Sequence, residues 1–496
     1  MRRWRAAVVL FAAGLIAACQ TSAKRSEPVD LVISNVTVID PETRRVLPNR
    51  SVFVRGDRIT AVVPSAAAGN RSAARTIDGA GRYLIPGLMD MHVHLFLPEA
   101  PAPTLNLLLA NGVTSVREMS SDCWAAAGAT AGCVDEYRRL RSRIEAGEVA
   151  GPDLVWLTST MVMGPTRLKL PQGAPSFITP VSDADARALV SYLASRGIDL
   201  VKTHDSIPST AFRALMAEAN RRGLRVGGHI PFEAGSLGAA RMGYRSIEHA
   251  RDLLYDCSGY GPEYRRREAA FANREAGAAR PTSLERLGRA VAEYDAGRCG
   301  AMLRSLATTG AYYTPTHVTR EMEALADDPA YRADATRRYV PAERDGRWEA
   351  DLNETAALPA GEREALRRFF RHSLTITGLA HRAGVPIMAG TDANDTMIVP
   401  GYSLHRELRL LAAAGLSNMD VLRAATTVPA RYLGRMADLG GIAPGKQADL
   451  VLLRSNPLTD MSNSATVELV VANGRAFTRD RLDALLQEAE AVARKK

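Results

Sequence analysis

The sequence is poor in lysine. Of 63 basic residues six are lysines (Lys24, Lys169, Lys202, Lys446, Lys495 and Lys496), so arginine is the default cation and any lysine inside a structured segment asks for a reason. Cysteine is scarce as well, with five residues and no pair spaced as in a zinc ribbon. Aromatic residues make up 6%, and no basic stretch is interleaved with them. The formal charge of +9 therefore lacks the footprint of nucleic-acid binding; Arg2, Arg3 and Arg5 supply part of it, and the rest is scattered apart from Arg494, Lys495 and Lys496. The apolar run Ala6–Ala18 is too short to span a bilayer as a stable anchor. Repeats and low-complexity segments are also lacking. What remains, 46% apolar and 24% charged, is ordinary globular composition and excludes a disordered or fibrous chain. A length of 496 residues is long for one domain, but a barrel with insertions reaches it.

Three arginines, an apolar run and then Leu15-Ile16-Ala17-Ala18-Cys19 form the N-terminus. This pattern resembles the lipobox of bacterial lipoproteins, and the resemblance implies acylation of Cys19 after removal of the leader. An ordinary secretory signal that happens to contain Cys19 is the plainer reading. Both imply export, and the first implies a membrane-anchored protein facing the periplasm or cell surface. Residues 1–19 then form the signal and the polar residues 20–28 a tether. In an oxidising compartment Cys123, Cys133, Cys257 and Cys299 can form disulfides. Four cysteines allow three pairings, and local pairing (Cys123 with Cys133, Cys257 with Cys299) is expected.

Residues 29–63 fall into short β-rich runs, with Arg55-Gly56-Asp57-Arg58 as a hairpin turn. Residues 448–453 and 467–471 read as strands again, followed by the turn pair Asn473-Gly474. Two β-rich ends predict one small sheet domain built from 29–82 and 434–478, with a helical tail over 479–496. Between them, 83–433 alternates short apolar runs with amphipathic stretches, the signature of βα units. Eight candidate strands are Tyr83–Leu88, Val113–Arg117, Leu154–Leu157, Ile198–Lys202, Arg225–Gly228, Ser246–Glu248, Ala311–Thr314 and Val385–Ala389. Eight is the number a closed parallel barrel needs. Two Arg- and Glu-rich stretches, about 258–306 and 318–370, read as helical insertions near its mouth.

The chemistry collects at the C-terminal ends of those runs, where barrel active sites are built. His92 and His94, one residue apart, project to the same side of a strand and can grip one ion through imidazole nitrogens. His229 closes Val226-Gly227-Gly228, His249 closes Ser246-Ile247-Glu248, and Asp392 follows Ala389-Gly390-Thr391. Lys202 ends Ile198-Asp199-Leu200-Val201. Unlike arginine, a lysine amine can lose its proton, and a neutral amine can add carbon dioxide to give a carbamate able to bridge two metals. His204, two positions on, is a rival ligand on the same face. His317, Arg251 and Arg117 follow other strands and are candidates for substrate contact, the arginines through a carboxylate.

The set His92-x-His94, Lys202, His229, His249 and Asp392 resembles the amidohydrolase superfamily. It is most similar to the imidazolonepropionase-like branch with its prolidase-like, metal-dependent dipeptidases. Residues 112–117 and 440–450 share that likeness, which extends over nearly all of 29–478 outside the two insertions. The resemblance implies an α/β fold, a (β/α)8 TIM-like barrel with a β-sandwich made by both termini. It also implies two divalent ions, zinc foremost: His92, His94 and Asp392 on one, His229 and His249 on the other, carboxylated Lys202 bridging them. Hydroxide shared by the ions would attack the amide of a dipeptide or N-acyl amino acid, with Asp392 as general acid–base. A mononuclear cyclic-amide hydrolase or deaminase is the runner-up, and a lipid-anchored binding protein without catalysis the third reading.

Overall fold

The computed structural model describes residues 29–69, 73–95, 101–122, 134–164 and 175–495. Cys19, Cys123 and Cys133 lie outside them, so the expectations about lipidation and about a Cys123–Cys133 bond fall on residues without a structural description.

Both ends of the chain contribute to one sheet. Its strands are β1 (Val29–Asp40), β2 (Arg45–Arg55), β3 (Arg58–Pro64), β4 (Ala73–Asp78) and β5 (Tyr83–Pro86) from the N-terminal part. The other three, β13 (Leu450–Leu453), β14 (Val467–Ala472) and β15 (Arg475–Thr478), come from the C-terminal part. They run in the order β15-β14-β13-β5-β1-β2-β3, with β4 beside β1. The expected turns are present: Gly56 joins β2 to β3, and Asn473-Gly474, both at positive φ, join β14 to β15. Strand alternation sorts the side chains. Leu31, Ile33, Leu84, Leu450, Leu452, Leu469 and Val471 pack on one face, while Ile85, Val451, Leu453 and Val470 join the main core on the other. Where a sandwich is expected, the sheet curls on itself. Ile59 exchanges backbone hydrogen bonds with the stretch before β13 (Ile59 N to Lys446 O 2.9 Å, Gly445 N to Ile59 O 2.8 Å). The tail expected to be helical is the helix Arg479–Ala493, which buries Leu482, Leu485 and Ala489.

The middle of the chain is α/β. β6 (Leu88–Val93), β7 (Val113–Glu118) and β8 (Asp153–Leu157) form one parallel sheet. β9 (Leu200–Thr203), β10 (Arg225–Gly228), β11 (Ser246–Glu248) and β12 (Tyr312–Thr314) form a second. Isolated parallel bridges Thr158–Leu200 and Val162–Thr203 connect the two. The run 385–393 stands between β12 and β6 through the bridges Tyr313–Ile387 and Val93–Ala393. Amphipathic helices separate the strands; Asp183–Ser195, for example, starts at a Ser182/Asp185 capping box and buries Ala186, Leu189, Val190 and Leu193. Among the described residues no helix is long and apolar enough to cross a membrane.

The expected first barrel strand, Tyr83–Leu88, divides in two. Tyr83–Pro86 belongs to the terminal sheet as β5, and β6 begins at Leu88. Gly87 makes the handover: its N–H donates to Asp449 O (2.8 Å), and Leu88 N donates to Gly112 O (3.0 Å). A Cβ there would lie 2.0 Å from Thr114 Oγ1, so glycine is required for β7 to approach. The two insertions are helical as expected, including Gly261–Ala272, Ala296–Ala307, Ala342–Ala356 and Ala360–Arg382. A disulfide between Cys257 and Cys299, the pairing expected, ties the two sides of the first.

Candidate metal centre

Period two along β6 points Asp90, His92 and the following His94 to one side. His92 is fully buried, and its Nδ1 lies 2.9 Å from Glu248 Oε2. A carboxylate can only accept, so Nδ1 carries the proton and donates. Glu248 is held in turn. Its Oε1 accepts from Arg117 Nη2 at 2.7 Å and from the Ser246 hydroxyl. Burial alone would raise the Glu248 carboxyl, yet the Arg117 charge and His92 hold it at about 2.

In the neutral ring the other nitrogen of His92, Nε2, presents a lone pair. It faces Asp392 Oδ1 at 3.2 Å, and His94 Nε2 faces the same oxygen at 3.1 Å. Lys202 Nζ completes the group, 3.4 Å from His92 Nε2 and 3.2 Å from His94 Nε2. Next to it stands His249, whose Nδ1 is 2.8 Å from Thr316 Oγ1 and 3.7 Å from Asp392 Oδ2. The His249 ring centroid is 4.8 Å from that of His92 and 4.6 Å from that of His229, which is 4.3 Å from His204. Five imidazoles thus form one arc.

Two of these residues sit in left-handed backbone, where side chains are rarely found: His249 at φ 70° and Asp392 at φ 67°. Such positions cost about 1–3 kcal/mol each and persist only where neighbours impose them. His249 N donates to Thr314 O and Asp392 N to His92 O, each at 2.8 Å, so the strand framework fixes both.

For three of the imidazoles and the lysine, electrostatics suit electron-pair donation. Burial, with the Lys202 charge, lowers His94 to about 4. Burial also takes His229 and His249 well below the usual imidazole range and lowers the Lys202 amine. For Asp392 burial works the other way, but His92 and His249 bring its carboxyl well below the ordinary value. His92 differs: burial and the Lys202 charge lower its ring, but Asp392 and Glu248 raise it overall, so the 3.2 Å contact with Asp392 Oδ1 calls for a proton or a metal ion between the two atoms. His92, His94 and Asp392 fit a divalent ion by that test. A second group, His204, Asp205 and His229, brings its ligand atoms within 4.8 Å of one another, and His229 Nδ1 is buried with no hydrogen-bond partner.

The six residues expected as ligands therefore lie along one rim, with a difference in grouping. The sequence pairs His229 with His249, whereas His229 is grouped with His204, the rival to Lys202, and with Asp205, which sequence reasoning passed over. Two expected substrate contacts are corrected. Arg117 is wholly buried beneath the site, bonded to Glu248, Met91 O, Ser246 and Tyr432, and cannot reach a substrate carboxylate. His317 is also fully buried: Nε2 lies 2.9 Å from Thr377 Oγ1 and Nδ1 3.3 Å from Ser373 Oγ, and burial lowers the ring to about 3. Arg251 remains beside the second group, its guanidinium divided between Asp205 (3.3 Å) and Asp252 (3.2 Å). Glu248 and Thr316 were missed. The one signal for Glu248 was an acid closing a three-residue strand directly before His249.

The Amidohydrolase family matches residues 83–477, which takes in the entire arc. This chain belongs to the amidohydrolase family. An adenine deaminase from Chelativorans sp. is 40% identical over 93 residues, 18% of this amidohydrolase and 15% of that enzyme. One from Ruegeria pomeroyi is 42% identical over 69 residues, 14% and 11% of the two chains. These matches span a small part of the curated relatives' length. Among solved structures, bottromycin amidohydrolase is similar with a TM-score of 0.71 at 23% identity, covering 93% of this chain and 90% of that one. A putative prolidase from Bifidobacterium longum has a TM-score of 0.60 at 23% identity, covering 93% and 99%. A Xaa-Pro dipeptidase with bound methionine has 0.61 at 20%, covering 90% and 99%. At these identities the likeness speaks for the fold alone.

Proposed function

We propose that this amidohydrolase cleaves the amide bond of dipeptides or N-acyl amino acids with two divalent ions, zinc foremost, held at the arc on a (β/α)8 barrel. One observation carries the reading: His92, His94, Asp392 and Lys202 meet within 3.1–3.4 Å, with His249 and His229 adjoining. When bound, such ions polarise a carbonyl and make water acidic enough to give hydroxide near neutral pH. Burial keeps the Lys202 amine competent to lose its proton and add carbon dioxide; a new N–C bond forms as one C=O π bond opens, a proton leaves the nitrogen, and one negative charge is shared by two oxygens. Asp392 divides its labour between its oxygens. Oδ1 faces His92 and His94, while Oδ2 is turned toward His249 and is the atom that accepts a proton from the attacking water and passes it to the leaving nitrogen. The prolidase-like neighbours support a dipeptide substrate. The adenine deaminase matches favour the second reading, a mononuclear deaminase or cyclic-amide hydrolase. The Cys257–Cys299 disulfide and the lipobox-like start support export with a lipid anchor at Cys19.

The test is metal content together with a substrate panel. Zinc-loaded full chain is expected to hold about two ions and to hydrolyse dipeptides. One ion with activity only on adenine or cyclic amides would support the second reading. Asp392→Asn is a clean probe because asparagine tolerates left-handed backbone. At zinc concentrations that keep the centre loaded, it is expected to lose roughly 100-fold or more in kcat per bound ion, the scale of general acid–base catalysis. Near-normal turnover would remove Asp392 from that role.

A further inference from the structure

Beneath the arc lies a pair of charges that no catalytic step uses. Arg117 and Glu248 are both 0% exposed. Every polar contact of the arginine is internal: Nε to Met91 O (2.5 Å), Nη1 to Ser246 Oγ (2.9 Å) and Tyr432 OH (3.3 Å), Nη2 to Glu248 Oε1 (2.7 Å). Burying two ions costs several kcal/mol apiece after relaxation, and an apolar pair of the same volume is often no less stable. Stability alone is therefore a poor reason for their presence. Their connectivity supplies a better one. Glu248 spends one oxygen on Arg117 and the other on His92 Nδ1. The line Arg117–Glu248–His92 crosses three strands and ends on a ring nitrogen 3.2 Å from Asp392.

We propose that Glu248 and Arg117 are positioning residues for the metal centre: the buried pair fixes the proton of His92 on Nδ1, so that Nε2 alone is offered to the ion. A neutral imidazole has two tautomers, and only one presents Nε2 as a donor. A carboxylate on the outer nitrogen selects that tautomer, orients the ring and raises its basicity toward a metal. Arg117 Nη2 and the Ser246 hydroxyl both donate to Glu248 Oε1, which fixes the carboxylate plane and leaves Oε2 for His92. At the other end of the arc His204 Nδ1 has Asp205 Oδ1 at 2.7 Å, while His229 Nδ1 is buried without a hydrogen-bond partner. The Glu248–Arg117 pair therefore acts on the ion at His92, His94 and Asp392 and not on the second. This inference rests on the two-ion reading above.

Full-length protein, stripped of metal and titrated with zinc against a chromogenic chelator, separates the possibilities. Wild type is expected to show two binding events. Glu248→Gln is expected to weaken one of them roughly 10- to 100-fold and leave the other unchanged. That variant strands Arg117 without a counter-charge and can fail to fold, so the double variant Arg117→Met/Glu248→Gln is its companion. The double variant is expected to melt within a few degrees of wild type without metal and still to bind that same zinc roughly 10- to 100-fold more weakly. Wild-type zinc affinity in a folded double variant, or a loss of melting temperature with unchanged affinity, makes the pair merely structural and overturns the proposal. A measurement on unaltered protein stands beside it. Long-range proton–nitrogen spectra of metal-free wild type are expected to show His92 protonated on Nδ1, and protonation on Nε2 overturns the proposal. Wild type that binds no zinc sinks the metal reading itself, and the positioning role with it.

Discussion

At the scale of single residues, burial separates the legible from the illegible. Lys202 stood out because the chain spends arginine almost everywhere else, so a lone lysine at a strand end was a signal in itself. The same abundance hid Arg117, since one arginine among many carries no mark of whether it faces solvent, substrate or a buried glutamate. His317 misled for a related reason: a histidine after a strand looks the same in sequence whether its nitrogens meet a substrate or the helix Ala360–Arg382. Lys202 also yields the sharpest test. Its Nζ has imidazole nitrogens at 3.2 and 3.4 Å, and burial disfavours its charged form. Lys202→Ala is expected to drop the zinc content from about two ions to about one and to abolish dipeptide hydrolysis. Added acetate or propionate, filling the vacated space with a carboxylate, is expected to restore part of both. Lys202→Arg is expected to fail without rescue, because a guanidinium cannot be deprotonated to take up carbon dioxide. Full metal content in Lys202→Ala would show that the amine has no bridging part.

At the scale of elements, the strands of the two parallel sheets were readable because short, mostly apolar runs of three to six residues bounded by glycine or charge admit few alternatives. The division of 83–93 into β5 and β6 was not, since Tyr-Leu-Ile-Pro and Leu-Met-Asp-Met are both apolar runs and only the partner strands distinguish them. Pairing is a tertiary fact. Glycines mark where strands come closest. Gly228, immediately before His229, has φ 120°, and a Cβ there would lie 2.5 Å from Thr203 O and 3.2 Å from Lys202 Cγ. Gly228→Ala therefore has no relaxed solution: it must either separate β9 from β10 or change the backbone that delivers His229. The expected result is a loss of about 1–3 kcal/mol in stability, as for other overpacked sites, with weaker zinc binding. Thermal melts with and without zinc check it. A variant that melts like wild type and holds its metal would mean that the strand spacing is not fixed by this contact.

At the scale of the whole molecule, stability depends on ionisable groups buried far from the arc. His405, fully buried, joins the helix Tyr402–Ala413 to two other regions: Nε2 lies 3.0 Å from Asn111 O, just before β7, and Nδ1 lies 2.9 Å from Ser464 Oγ, just before β14. A backbone carbonyl only accepts, so Nε2 bears the proton and Nδ1 accepts from the serine; the neutral ring satisfies both partners. Burial lowers its pKa from 6.5 to about 4, so the unfolded chain takes up a proton first as the pH falls. Stability from this group is complete above pH 6.5 and is lost between 6.5 and 4, at about 1.4 kcal/mol per pH unit for one proton and on the order of 3 kcal/mol in all. Buried carboxyls oppose it. Glu407 is raised to about 8 and Glu118 to about 7, so each is protonated in the fold over the same range and favours acid. The melting curve of wild type against pH mixes these signs, and the informative quantity is a difference. His405→Gln keeps a donor and an acceptor but cannot titrate. Its melting temperature is expected to lie below wild type at pH 7 and to draw level with it or pass it as the pH approaches 4. A gap that stays constant from pH 7 to pH 4 would mean that His405 takes up its proton equally in both states, and that burial does not govern its ionisation.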